Sequence, residues 1–285
     1  MELQQTRYEV SNGVARITLD RPEQLNAFTT RMMHELLGII DEVNRDDSVR
    51  VAILTGSGRA FCAGADLSAG GSSFDPGQGY GPGDDERHRD GGGKVTIALF
   101  GSRKPFISAI NGPAVGVGIT MTLATDIRIV ADNAKIGFVF ARRGIVPEAC
   151  SSWFLPRIVG ISKAAELCMT GRVFRAADEA GSGLFNYVLP AEEVLPKAEA
   201  LAREIADNTS AVSVALSKAM LWHGLGLDDP HSAHLIDSRI MFWAGGRPDV
   251  REGVESFLGK RPPRFSMSAW SDMPDFYPWW SEPEV

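Results

Sequence analysis

Three stretches of this chain hold residues whose types and spacing could do chemistry. "GRAFCAGADL" (58–67) and "NGPAVGVGIT" (111–120) each follow an apolar run and bend at glycine. A glycine turn that leads into a helix exposes unpaired amides backed by the helix dipole. Such amides can receive developing negative charge, an oxyanion included; tight packing of a buried turn is the alternative reading. The third stretch, "GIVPEACSSW", places Glu148 in an apolar, proline-preceded turn. Burial there would raise its pKa toward the range useful for proton transfer. A surface glutamate beside the next helix is the alternative. Cys62 adjoins the first glycine turn, but no histidine is placed by sequence to activate it, so it reads as packing.

Several other chemistries are excluded or weak. The phosphate-cradling string GxxxxGK[ST] is missing, and Gly116-Val117-Gly118 lacks the third glycine of a dinucleotide fingerprint. There is no GxSxG elbow. The five histidines form no HExxH, and the three cysteines, Cys62, Cys150 and Cys168, lack zinc-ligand spacing, so no metal site is expected. Three cysteines cannot all pair, and free thiols in a reducing, cytoplasmic setting are expected. A net charge of −7 over 285 residues argues against nucleic acid as a partner. Residues 106–124 are uncharged, yet they carry Asn111, Pro113, three glycines and three hydroxyl residues. They read as buried strand, turn and helix rather than a membrane span.

The elements that must position these residues alternate between strand and helix. Strand patterns occupy 13–20, 49–56, 104–110, 126–131 and 134–138, and these are expected to complete the set. A helix over 29–43 has Met33, Leu36, Leu37, Ile40 and Val43 at helical spacing, with Thr29 or Thr30 as N-cap. The 49–56 run is short and apolar, as in a strand buried on both faces. This is an α/β pattern. After about residue 195 only helical patterns remain, at 194–206, 210–221, 231–244 and 249–258. Residues 68–93 contain nine glycines and two prolines and read as a disordered surface loop or a mobile lid. The tail carries Trp270, Phe276, Tyr277, Trp279 and Trp280, and is expected to dock on its own or a neighbouring subunit.

Five strings in register, "LDRPEQLNAF", "AFCAGADL", "NGPAVGVGITMTLATDIRIV", "AKIGFVFARRGIVPEACSSWFLPRIVG" and "ADEAGSGLFNYVLP", resemble the motifs of the crotonase (enoyl-CoA hydratase/isomerase) superfamily. The similarity runs from residue 8 to about 265. It implies an α/β, crotonase-like spiral of ββα units over 1–195, a C-terminal α-helical trimerisation region over 196–265 and an aromatic tail over 266–285. It also implies an acyl-CoA thioester substrate with no cofactor beyond it, and a homotrimer or a hexamer of paired trimers. By the same resemblance, the amides of Ala65 and Val117 form the oxyanion hole. Leu25, Ala27, Ala63, Asp66 and Leu67 contact CoA, and Lys260 reaches its phosphates, often in a neighbouring subunit. Asp66 as a structural acceptor in its own turn, and Lys260 as a solvated helix-end charge, are the alternatives.

The acid–base set departs from the family pattern. Hydratases of the family carry two glutamates, at the positions of Thr120 and Phe140 here. Family members that move a double bond from carbon 3 to carbon 2 carry a glutamate in a PE(G/A) string, here Glu148. One carboxyl group can serve both proton transfers of that isomerisation, so isomerase is the expected activity. Hydration by Glu148, with Thr120 or a backbone group orienting water, is the alternative. A non-catalytic acyl-CoA-binding subunit is the third reading.

Overall fold

The computed structural model describes residues 2–75 and 89–280. In chain order the strands and helices are β1 (Thr6–Ser11), β2 (Val14–Leu19), α1 (Thr30–Arg45), β3 (Val51–Gly56), α2 (Gly91–Gly101), β4 (Phe106–Ile110), β5 (Ala114–Val115) and α3 (Val117–Thr120). There follow β6 (Ile127–Ala131), β7 (Lys135–Gly137), α4 (Ser151–Val159), α5 (Ile161–Thr170), β8 (Val173–Arg175), β9 (Tyr187–Leu189), α6 (Ala191–Asn208), α7 (Ala211–Gly224), α8 (Pro230–Gly245) and α9 (Pro248–Leu258).

The main sheet runs β1-β2-β3-β4-β6-β9; only β1 is antiparallel to its neighbour. A small second sheet runs β5-β7-β8. Strands β3 and β4 are buried almost throughout, as continuous apolar runs in a covered parallel sheet should be. Helix α1 starts where Thr29 accepts the Met32 amide and buries Met32, Met33, Leu36, Ile39, Ile40 and Val43. Among the described residues no helix is long and apolar enough to cross a membrane.

Several elements differ from the sequence expectation. The five expected strands do not complete the set: β1, β5, β8 and β9 were not anticipated. β1 is a mostly exposed edge strand, and the other three span two or three residues, too short to show a period of two. The glycine-rich stretch 68–93 is not one loop. Its last three residues, Gly91, Gly92 and Gly93, form the first turn of α2, capped by Asp90, whose side chain accepts the Gly93 amide. Residues 76–88 of that stretch lie outside the described residues. The expected division after residue 195 falls within α6, whose Val194, Ala198 and Ala202 are buried in the main core against the sheet.

The tail docks on its own chain. Arg103 donates to the Trp270 carbonyl and lies over the Trp270 and Tyr277 rings. Trp280 stacks on His223 with ring centroids 3.5 Å apart. His223 adjoins Phe100 of α2, which makes edge contacts with Trp153 and Phe154 of α4. The tail therefore buttresses both helices that flank the candidate acid. Lys218 ties α2 to the same core. Its buried ammonium donates to the Leu99 carbonyl at the end of α2 and pairs with Asp126 at 3.1 Å.

Breaking a buried pair leaves its partner uncompensated. Lys218→Met is expected to cost about 3 kcal/mol and lower Tm by about 5 °C or more. A thermal melt within a degree of the parent would contradict this role.

Candidate active site

The two glycine turns meet backbone to backbone. The Val115 amide donates to the Cys62 carbonyl, and the Cys62 amide to the Pro113 carbonyl, which makes a parallel bridge between Cys62 and Ala114. A methyl group on Gly118 would lie 2.1 Å from the Cys62 oxygen, so no side chain fits there. On its other side the first turn bridges Phe28: the Phe28 amide donates to the Gly64 carbonyl and the Asp66 amide to the Phe28 carbonyl. That ladder turns the Ala65 amide away from Phe28. In the second turn the amides of Gly116, Ile119 and Thr120 all find carbonyls, whereas those of Val117, first residue of α3, and Gly118 find none among the described residues. The Ala65 amide likewise has no acceptor among them. Both residues line one cavity of about 240 Å³.

Glu148 lines the same cavity. Its Oε1 accepts the Thr120 hydroxyl at 2.6 Å, and its Oε2 is buried without a partner among the described residues. Burial pushes the Glu148 pKa up to about 8. The Thr120 hydrogen bond opposes that rise, and the neighbouring Asp90 carboxyl adds to it. The turn that presents Glu148 is strained: Ala149 and Cys150 both take left-handed backbone, at φ 53° and 55°. Conformations of that kind cost about 1–2 kcal/mol per residue. The turn is held by the Ser151 amide and hydroxyl, both donating to the Glu148 carbonyl. It is also held by the Ala149 amide, which donates to Asp90 Oδ1 at 3.2 Å. Gly92 leaves the space the acid occupies, since a methyl group there would lie 2.2 Å from Glu148 Oε2.

The remaining wall is apolar apart from Arg143; Leu67, Phe74, Val139, Phe140, Ile145 and Val146 contribute to it. Thr120 is fully buried and Phe140 nearly so. Of the expected CoA-contacting residues, Ala63 and Leu67 line the cavity. Leu25 and Ala27 sit in a segment latched to the first glycine turn. The Ala63 amide donates to the Leu25 carbonyl, and Arg21 bonds the Ala27 carbonyl while pairing with Asp66 at 2.9 Å. Asp66 also accepts the Ser68 amide within its own turn. Lys260 is exposed beyond α9 and does not line the cavity in this chain. Cys62 is buried, which pushes its thiol pKa up to about 12. No group of three or more metal-ligating side chains occurs among the described residues.

Comparisons with known proteins agree with this architecture. The model of the family described as Enoyl-CoA hydratase/isomerase matches residues 9–268. The chain belongs to that family. It is 42% identical to "Enoyl-CoA hydratase ACTT3" of Alternaria alternata, covering 90% of this chain and 83% of that protein. It is 33% identical to the "1,2-epoxyphenylacetyl-CoA isomerase" of Escherichia coli K12, covering 90% of this chain and 96% of that one. A solved structure of a probable enoyl-CoA hydratase/isomerase from Mycobacterium abscessus superposes with a TM-score of 0.84 at 35% identity, covering 92% of this chain and 98% of that one. The crotonase-like α/β fold and the place of this chain among acyl-CoA enzymes of the hydratase/isomerase family follow.

Sequence reasoning missed Asp90 and Gly92 of this family member. Both lie in the glycine-rich stretch taken for a loop. The usable signal was Asp90 followed by Gly91, because aspartate is a preferred N-cap.

A carboxyl whose folded pKa is raised to about 8 keeps its proton where the unfolded chain, at the ordinary 4.5, has lost it. The folded state binds the extra proton between those values, so stability falls as pH rises through that window. Glu148→Gln is expected to raise Tm at pH 9, with the gain vanishing by pH 4; an equal gain at both ends would refute the assignment. Gly92→Ala, which puts a methyl group on Oε2, is expected to lower turnover at least about tenfold, the scale of a displaced acid–base group, with a modest fall in Tm from overpacking. Unchanged turnover would show that the acid has room to move.

Proposed function

We propose that this chain isomerises 3-enoyl-CoA thioesters to 2-enoyl-CoA thioesters, with Glu148 carrying the proton. The observation that carries this reading is that Glu148 is the single carboxyl among the described residues lining the cavity, beside the unpaired amides of Ala65 and Val117. The Glu148 carboxylate takes a proton from carbon 2. The electron pair of that C–H bond delocalises onto the thioester oxygen, which accepts from the Ala65 and Val117 amides. The resulting dienolate then takes the proton from the Glu148 carboxyl at carbon 4, leaving the double bond between carbons 2 and 3. Thr120 donates to the carboxylate while it is charged. Pre-aimed donors of this kind are each worth on the order of 10²–10³ in rate.

In this reading Leu25, Ala27, Ala63, Asp66 and Leu67 line the path of the CoA moiety, and Lys260 serves a neighbouring subunit's nucleotide. The strongly exposed Leu221, Leu235, Phe242, Phe257 and Leu258 on and just after α7, α8 and α9 support assembly into a trimer, or a hexamer of two trimers. Exposed large apolar side chains gathered on neighbouring helices are the mark of an interaction surface. Hydration is the second reading, favoured by the relatives named hydratases and by the Asp90 carboxyl close behind Glu148.

The sign of the pH dependence separates the two. Isomerisation from the 3-enoyl side needs Glu148 ionised, so kcat/KM is expected to climb with pH to a plateau above about 8. Hydration with Glu148 as the proton donor to carbon 2 needs it protonated, so kcat/KM for a 2-enoyl-CoA would fall over the same range. Glu148→Gln is expected to cost at least about a hundredfold in isomerase turnover, the usual scale of such a group. An unaltered rate would remove Glu148 from the mechanism.

A further inference from the structure

Beside its cap bond, Asp90 has two relations to the site that its role as a helix cap does not require. Its Oδ1 accepts the amide of Gly93 at 2.6 Å, the ordinary cap bond. The same oxygen accepts the amide of Ala149, the residue after Glu148 and the first of the two left-handed residues. Its carboxyl also lies close enough to that of Glu148 to act on it directly. The first turn of α2 is tailored around both acids: a methyl group on Gly93 would strike Asp90 Oδ2 at 2.6 Å, and one on Gly92 would strike Glu148 Oε2 at 2.2 Å. Two carboxyls thus share one glycine-lined niche.

We propose that Asp90 is the positioning residue of this enzyme: it fixes the turn that aims Glu148 and holds a second negative charge against the Glu148 carboxyl. This rests on the reading of Glu148 as the proton carrier. The Ala149 bond resists relaxation of the strained turn, which would otherwise swing the acid out of the cavity wall. The charge disfavours a second carboxylate in the same niche. The other titratable groups around Glu148 do not replace it. Cys62, on the first glycine turn, is a buried neutral thiol; Cys150, next but one in the chain, is also held neutral by burial. Thr120 contributes a dipole that favours the charged acid, and Arg143 is the only cation on the cavity wall among the described residues. Among the described residues, Asp90 is the one carboxyl that acts on Glu148.

Asparagine caps helices about as well as aspartate, so Asp90→Asn keeps both amide bonds at Oδ1 and replaces the charged second oxygen by a neutral amide group. Alanine removes both. The titration of the Glu148 carboxyl can be followed by difference infrared spectroscopy on the intact protein, the band being assigned by its loss in Glu148→Gln. In Asp90→Asn the midpoint is expected to drop by about one pH unit or more, the scale of a close like charge. The alkaline rise of kcat/KM for a 3-enoyl-CoA should shift down with it, at a plateau within a few fold of the parent. In Asp90→Ala the plateau itself should fall at least about tenfold. An unmoved infrared midpoint in Asp90→Asn, with a near-parental melt, would overturn the proposal whatever the kinetics show. A moved midpoint in a protein whose turnover ignores Glu148→Gln would uphold the charge relation and refute the proton-carrier role instead.

Discussion

The site depends on one contact: the main chain of residues 62–65 lying directly on that of residues 114–118, with no side chain between them. Two parallel strands, β3 and β4, run out of the same buried sheet side by side. Their continuations stay together because Gly118 offers no Cβ to the Cys62 carbonyl and Gly112 none to the Arg59 carbonyl. Backbone groups packed this closely must be paired, and most are. The amides of Ala65 and Val117 are among those with no acceptor among the described residues, and both residues line one cavity. A pair of unsatisfied donors beside an apolar wall is a costly arrangement that a developing negative charge would relieve. Because the donors are main-chain groups, the side chain at position 117 is free to be valine, and that valine packs the floor of the cavity instead.

The acid opposite these donors is held against its own preferences. Its second oxygen is buried without a partner among the described residues, and its turn uses two non-glycine residues in left-handed conformation. The surroundings must over-determine such a turn for it to persist. They do so from three directions: Ser151 from α4, the Asp90 cap of α2, and the Thr120 hydroxyl at the end of α3. These elements are in turn locked by the aromatic stack from Trp280 through His223 and Phe100 to Trp153, and by Lys218 at the far end of α2. The tail is thus mechanically continuous with the acid though it does not line the cavity.

The parts of the site carried by local pattern were legible in the sequence. Apolar runs ending in glycine marked both turns, and Glu148 stood out as a charged residue in an apolar, proline-led string. The parts made by tertiary approach were not. Nothing local connects Thr120 to Glu148, 28 residues apart, and their hydrogen bond exists only because α3 and the 145–150 turn share a wall. Asp90 was hidden in a stretch whose composition argued for disorder; glycines 91–93 there serve to admit two carboxyls rather than to loosen the chain. In the fold, long buried strands and amphipathic helices could be read. Strands β5, β8 and β9, only two or three residues each, could not, because pairing with distant partners, not propensity, makes them strands.

A crystal structure with a non-reactive acyl-CoA analogue that keeps the thioester carbonyl would test the central claim most directly. The account predicts the acyl oxygen within about 3 Å of both the Ala65 and Val117 nitrogens, with carbon 2 turned toward the Glu148 carboxyl. An acyl oxygen bonded elsewhere, or an acyl chain seated away from Glu148, would contradict it.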